Sequence, residues 1–406
     1  MKILILTQYF IPETGAPQNR LMQWARLLAR KGATVEVLTA MPNYPEMEIH
    51  KEYRGRFSCT EEIQGIRVVR SWIYAGTSKA ILPRLLNYFS FVFTSLLVGI
   101  YRTGRYDYIF CESPPLFLGI TAWLLKLIKG AKLIFNVSDL WPESAEKLGL
   151  VTNRFLLDSA TSLEHFLYRR SYLITGQTKG IVHSISSRFP QKKVYWFKNG
   201  ADVSELEKIQ PVPGLRESLG FTADDFLLLY AGILGHAQGL EVILKAAAAL
   251  RTSPGIKFLI MGSGPEKDNL LKLKEEMALN NVYFLDSRPK KDVIPFIHIS
   301  DAAVVPLKKL DLFKGAIPSK IFENLALKKP ILLGVEGEAK ELLIDEGHAG
   351  IAFIPEDAAD LASGVLYLYT HEKERKELGI NGYNYLCREF NPEIIVNEFW
   401  NLINAK

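Results

Sequence analysis

Three stretches in the second half of the chain carry residues of the kind that hold a phosphorylated ligand. GAIPSKIFENLALKKPIL sets Ser319 and Lys320 directly after Pro318. Proline is favoured at the first helical position, so the spacing predicts Ser319 and Lys320 in a first helical turn. A lysine and free backbone N–H groups there can meet a phosphate. Glu323 follows one turn on, on the same face, and a carboxylate in that place can accept two hydroxyls, as from a ribose. The plainer reading is a surface Lys–Glu pair worth roughly 0.2–0.5 kcal/mol. Upstream, YAGILGHAQG places Gly232, Gly235 and Gly239 between a strand and a helix, and IMGSGPE does the same with Gly262 and Gly264. Two such loops suit a diphosphate held by backbone N–H groups.

The first half offers two further strand-to-helix loops. In YFIPETGAPQNR, Gly15 permits close backbone approach just before a helix N-terminus. No GxGxxG is present, so a dinucleotide site has little support. In SDLWPES, Asp139, Trp141 and Glu143 crowd a strand end, where a carboxylate beside a tryptophan can position a substrate hydroxyl. The alternative is that Ser138 or Asp139 caps a helix. No HExxH, Walker lysine loop, paired cysteine or DxD is present, and no metal site is expected.

These loops need a scaffold, and the chain alternates short apolar runs with helical patterns. KILILT, TVEVLTA, IRVVR, YDYIF, KLIFNV and YLITG read as strands. QNRLMQWARLLARKG reads as an amphipathic helix with Leu21, Trp24, Leu27 and Leu28 inward and Gly32 as its stop. Further helices are expected around 85–101, 116–129, 153–170 and 178–188. KNGADVSELEKIQPVPG, residues 198–214, reads as a linker, after which FLLLYAG, IKFLIMG, NVYFLD, AAVVPL, PILLG and GIAFI restart the alternation. The expected fold class is therefore α/β, with two Rossmann-like, doubly wound parallel-sheet domains. The last segment, NPEIIVNEFWNLINAK, puts Ile394, Ile395, Phe399 and Leu402 on one helical face. That helix packs either on the second domain or back on the first.

Composition agrees with a folded chain of two domains: 406 residues, 48% apolar and 23% charged. Three cysteines are too few and too scattered for a disulfide framework, and a reducing compartment fits. The charge is uneven. Residues 1–205 hold 26 Lys+Arg against 16 Asp+Glu, and residues 206–406 hold 23 against 28. A basic first half suggests an anionic contact. Met1 leads into too short an apolar run for a secretory signal. Leu85–Tyr101, between Arg84 and Arg102, is apolar but contains Asn87, Ser90, Thr94 and Ser95. It is short for a span of about 20 residues and reads as a buried or interfacial helix.

From MKILILTQYFIPETGAPQNR, through NGAD and YAGILGHAQGLE, to GSGPE, LDSRPKKD and PSKIFENLALKKP, the whole chain resembles the family 4 retaining glycosyltransferases of the GT-B fold. TQYFIPETGAPQNR, DLWPES and PSKIFE look like the WbuB-like subgroup, which builds O-antigen and capsule repeat units and includes L-fucosamine transfer. The resemblance implies an N-terminal acceptor-binding domain, 1–205, with the C-terminal helix 390–406 as a candidate addition. It implies a donor-binding domain, 206–389, the two facing a cleft. The implied reaction is metal-independent, retaining transfer of a sugar, such as an N-acetylated or deoxy amino sugar, from a UDP-sugar to a polyprenyl-diphosphate-linked saccharide. The UDP-sugar is a substrate, and no further cofactor and no nucleic acid are implied. The implied place is cytoplasmic, peripheral on the anionic inner face of the membrane.

Carried across by residue, Gly15 approaches the donor phosphates or the acceptor, Gly235 lies beside the diphosphate, and Arg288 lies near the base-binding strand end. Glu323 matches the second glutamate of the family's E-x7-E motif and holds the ribose. The first glutamate falls at Gly315, and the usual basic pair falls at Ile233 and Gln238, all uncharged. By charge accounting Lys320 takes over the diphosphate, and Lys320 and Asp139 are the expected catalytic residues. Two other readings remain. One is a UDP-sugar 2-epimerase on the same architecture, for which His236 is the available histidine in a glycine loop. The other is a non-catalytic protein for anionic surfaces, although KEYRGR lacks the aromatic interleaving of a base-stacking platform.

Overall fold

In the computed structural model, which describes residues 1–13, 15–44, 47–76, 81–147, 149, 151–201 and 203–405, the chain divides into two compact units. One is Met1–Asn199 together with Pro392–Lys406, and the other is Gly200–Asn391.

The first unit is built on β1 (Lys2–Leu6), β2 (Thr34–Ala40), β3 (Ser58–Ile63), β4 (Ile66–Ser71), β5 (Tyr108–Ser113), β6 (Lys132–Val137), β7 (Leu173–Gly176) and β8 (Val194–Trp196). Their spatial order is β3-β4-β2-β1-β5-β6-β7-β8. All neighbours run parallel except β3 and β4, which form a hairpin. Gln64 and Gly65 both have positive φ, 50° and 79°, the conformation that a tight two-residue turn demands. The sequence reading names IRVVR alone. Its partner SCTEEI is too polar to show as a buried strand, as suits a sheet edge. β1, β5 and β6, by contrast, are apolar runs covered on both faces.

The helix Ala16–Arg30 buries Leu21, Trp24, Leu27 and Leu28, as its spacing predicts, and Gly32 follows its end at φ 90°. Trp24 stacks on Phe197 at 3.9 Å and Phe197 on Phe399 at 4.3 Å. That stack holds the helix Pro392–Asn404 against the first unit, where the Tyr108 hydroxyl donates to the Ile403 carbonyl at 2.7 Å. Its buried face is Ile395, Val396, Phe399 and Ile403. Ile394, expected inward, is 42% exposed, so the face is turned by about one residue.

The helix Ile81–Arg102 is longer than the apolar stretch in the sequence. Its window Leu85–Arg102 is long and apolar enough to cross a membrane, and a third of it is buried in the fold. The polar residues explain the burial. Asn87 accepts from Gln8 Nε2 at 2.7 Å, Thr94 lies beside Ser71, and Ser95 donates to Thr121. With Phe91 and Val98 they make one face, packed on the sheet. Leu86, Phe89, Phe93 and Tyr101 make the other, which is exposed. The Arg84 side chain lies outside the described residues.

The second unit has β9 (Phe226–Ala231), β10 (Ile256–Met261), β11 (Val282–Leu285), β12 (Ala302–Pro306), β13 (Ile331–Gly334) and β14 (Gly350–Ala352). The order is β11-β10-β9-β12-β13-β14, with every neighbouring pair parallel. Both sheets are the doubly wound kind expected, whose ligands bind beyond the carboxyl ends of the strands. A short helix, Val203–Glu207, lies within the stretch read as a linker.

Candidate active site

At the carboxyl edge of the second sheet, the two glycine loops are bonded to one another. Leu234 N–H donates to Ser263 O at 2.9 Å, Gly232 N–H to Met261 O at 2.9 Å, and Glu266 N–H to Leu234 O at 2.9 Å. A Cβ on Gly262 would stand 1.8 Å from Gly232 O, and one on Gly264 would stand 2.4 Å from Leu234 O. These glycines therefore let two backbones touch. This corrects the expected role of Gly262. Its N–H is already given to Leu285 O at 3.1 Å, so it is not a free phosphate donor. Gly235 differs, since its N–H finds no partner among the described residues and a Cβ there would meet only Ile233.

Lys320 rises from the next loop but one. The helix starts at Lys320 itself, with Ser319 rather than Pro318 before it, so Pro318 is not its first residue. Ser319 is exposed and its side chain caps nothing. The Lys320 ammonium lies 3.9 Å from the centroid of the Tyr230 ring, and a Cβ on Gly232 would be 2.6 Å from Nζ. The Tyr230 hydroxyl donates to Ile233 O at 2.7 Å, tying the same ring to the loop above it. Burial pushes the Lys320 amine down to about 7, and Glu323 opposes this only in part.

Glu323 does not pair with Lys320. Its Oε1 is 2.6 Å from Lys290 Nζ, at the start of the helix that follows β11. The simple surface Lys320–Glu323 pair is thus absent, and the two side chains serve different directions. Arg288 is exposed beyond β11, its guanidinium 5.1 Å from the Phe296 ring. His236 bonds Glu266 through Nδ1. Lys290 was not singled out in the sequence, where the KK of LDSRPKKD was its one visible signal.

At the carboxyl edge of the first sheet, Gly15 precedes the helix Ala16–Arg30 in an extended conformation. A Cβ there would stand 2.3 Å from Gln18 Oε1, so the glycine leaves room for a side chain folded back to the helix start. Asp139 follows β6 and accepts the Ser144 hydroxyl at 2.7 Å. Burial raises its carboxyl above the usual range and Glu143 adds to this, while the Ser144 and Leu140 bonds oppose it. Trp141 lies against Phe117 at 5.5 Å, and Phe117 against Phe89 at 4.7 Å.

A polar network that sequence reasoning missed lies under the same edge. Arg20 pairs with Glu112 at 2.5 Å with both side chains buried. Glu112 also accepts from Asn136 at 2.7 Å and from Ser138, and Asn136 accepts from Thr175 at 2.7 Å. Arg20 reaches Asn199 at 3.2 Å. A buried ion pair needs partners for its remaining sites; Asn136 and Ser138 supply them to Glu112, while Arg20 Nε has none among the described residues. The signal was a polar residue near the end of each apolar strand, in CES, FNV and LITG.

Comparison with known proteins agrees in both halves. Residues 15–199 match the model described as "Glycosyl transferase 4-like domain", and residues 213–385 match "Glycosyl transferases group 1". WcaI of Escherichia coli (strain K12), named as a colanic acid biosynthesis glycosyl transferase, is 26% identical over 100% of both chains. LpsE of Rhizobium meliloti (strain 1021), named as a lipopolysaccharide core biosynthesis glycosyltransferase, is 23% identical over 61% of this chain and 68% of its own. The crystal structure of HepE from Anabaena, in complex with UDP and glucose, superposes with a TM-score of 0.70 at 18% identity, covering 100% of both chains. With two doubly wound sheets and a family match to each half, the chain belongs to the family 4 glycosyltransferases and has the GT-B fold.

Proposed function

We propose that this glycosyltransferase moves a sugar from a UDP-sugar, with retention, to a lipid-linked saccharide in the synthesis of a cell-envelope polysaccharide. The observation that carries the reading is Lys320, a buried amine set against the β9 loop with no carboxylate paired to it among the described residues. A donor diphosphate would give that amine the charge it lacks. The names of WcaI and LpsE support the polysaccharide, and the UDP and glucose in HepE support the donor class.

In this reading the second unit holds the donor. Glu323 takes the ribose hydroxyls, the free Gly235 N–H faces the diphosphate, and Lys320 stabilises the charge that develops on the leaving UDP. The anomeric C–O bond to phosphate breaks, the acceptor hydroxyl bonds the same face, and its proton passes to the departing phosphate oxygen. No metal or further cofactor takes part. The first unit holds the acceptor, with Asp139 orienting its hydroxyl. The exposed apolar face of Ile81–Arg102 rests on the cytoplasmic leaflet that carries the lipid-linked substrate. The test is a panel of labelled UDP-sugars, N-acetylated and deoxy amino sugars included, with a polyprenyl-diphosphate-sugar acceptor in vesicles. Acceptor-dependent release of UDP and a lengthened glycolipid are expected. Absence of transfer across the panel, or epimer formation without acceptor, would sink the reading.

A further inference from the structure

The carboxylate read as the ribose ligand is held by a cation from another loop. Glu323 stands in the first turn of the helix that follows β12. Lys290 opens the helix Lys290–Ile299, which carries the chain from β11, at the edge of the sheet, back to β12. β10 and β9 lie between β11 and β12, so the two residues meet from loops distant both in sequence and in the sheet. Lys290 Nζ lies 2.6 Å from Glu323 Oε1, and the Glu323 side chain is 19% exposed. Lys290 passes over acids closer in the sequence. Asp286 is held by Lys267 at 2.9 Å, and Asp292 lies in the first turn of the same helix as Lys290. Lys320, one turn before Glu323, is set instead against the Tyr230 ring at 3.9 Å. Among the described residues no group other than Lys290 bonds the Glu323 side chain, which leaves Oε2 as an acceptor.

We propose that Lys290 is a positioning residue for nucleotide recognition, holding Glu323 by one oxygen so that the other is presented to the 2′,3′-diol of a ribose. The proposal rests on Glu323 being the ribose ligand, and it adds the group that sets that carboxylate for a diol. A glutamate side chain has several rotamers to lose, and fixing it beforehand removes that cost from the binding step. Lysine brings three donors and no acceptor, so it fixes one carboxylate oxygen without competing for the ribose hydroxyls. The lysine end of the pair is half exposed, and as a plain surface ion pair it would be worth little. The two roles differ in whether the contact is felt through the ribose.

Calorimetry on the full chain compares UDP with 2′,3′-dideoxy-UDP, which keeps the base and the diphosphate and lacks both hydroxyls. Wild type is expected to prefer UDP. Lys290→Met should weaken UDP about 3–10-fold, the worth of one hydrogen bond, and leave the dideoxy nucleotide unchanged, so that the preference shrinks. Lys290→Arg keeps the charge and the donors and should restore most of the loss. Unchanged UDP affinity in Lys290→Met would reduce the contact to a surface ion pair. An equal loss for both nucleotides would make its role structural, and tighter UDP binding would make Lys290 an obstacle that the ribose displaces. Each of these overturns the positioning role. Wild type that binds both nucleotides alike, or neither, would instead count against Glu323 as the ribose ligand and against the donor reading itself.

Discussion

Lys320 is an amine whose charge burial disfavours, with no acid paired to it among the described residues, and this sets opposite expectations for function and stability. Replacing it with alanine should lower kcat by about 10²–10³, the usual effect of losing one contact to developing charge. A variant keeping half of wild-type kcat would refute that role. Stability should move the other way. The amine titrates near 7 in the fold, against 10.5 for the free side chain. Below 7 the folded state must hold a buried charge. Between 7 and 10.5 the unfolded chain binds the extra proton, so this burden is relieved as pH rises. Lys320→Met should therefore raise the melting temperature most below pH 7, with the gain gone by about 10.5. UDP affinity should weaken with rising pH above about 7, where binding has to draw a proton onto the amine. Glu323→Gln should weaken UDP binding while leaving kcat at saturating donor nearly intact, and an unchanged dissociation constant by calorimetry would remove the ribose role. The Lys320–Glu323 spacing was legible in PSKIFE because one helical turn fixes it. Their actual partners, Tyr230 and Lys290, were not, because crossovers between distant strands bring them in.

At the scale of elements, apolar periodicity was enough wherever an element is buried along its whole length. The helix Ala16–Arg30 and the strands β1, β5, β6, β9, β10 and β12 stand where their patterns put them. It was insufficient where a face is half solvent. β3 was invisible because an edge strand carries Glu61 and Glu62 in place of apolar alternation. The C-terminal helix shows the same ambiguity. With Ile394, Ile395 and Val396 adjacent, the sequence cannot say which of them turns inward, and the Phe197–Phe399 stack decides it. Phe399→Ala should then cost about 3–5 kcal/mol of first-unit stability, as removal of a buried aromatic does. Ile394→Ala should change it by less than about 0.5 kcal/mol. Urea unfolding of both variants makes the comparison, and equal losses would mean the helix is turned differently.

For the molecule as a whole, the uneven charge and the exposed apolar face of Ile81–Arg102 fall in the same unit. Leu86, Phe89 and Phe93 are exposed on that helix, Leu127 and Ile128 on the helix Leu118–Lys129, and Phe155 and Leu156 on the helix Arg154–Arg170. Not every nearby lysine is free to help. Lys126 gives its ammonium to the Arg170 carbonyl at 2.6 Å, and Lys129 reaches the Ile100 and Thr103 carbonyls at 2.8 Å each. Burial lowers both amines, so these lysines tie helix ends together more than they offer charge to a surface. Arg102 and Arg105 stay exposed, each worth about 1 kcal/mol near an anionic surface. The same polar residues that argue against a free span explain why the helix does not simply leave the sheet, since Asn87, Thr94 and Ser95 are all bonded within the first unit. An apolar face held in place by a polar one fits a protein that rests on a bilayer. Sedimentation with phosphatidylglycerol vesicles should therefore show binding that weakens as salt rises. Phe93→Asp, at an exposed ring in the middle of that face, should reduce it without unfolding the protein. Protein that stays in the supernatant at low salt, or a Phe93→Asp variant that binds like wild type, would detach the membrane from the function and leave the transferase reading to stand on Lys320.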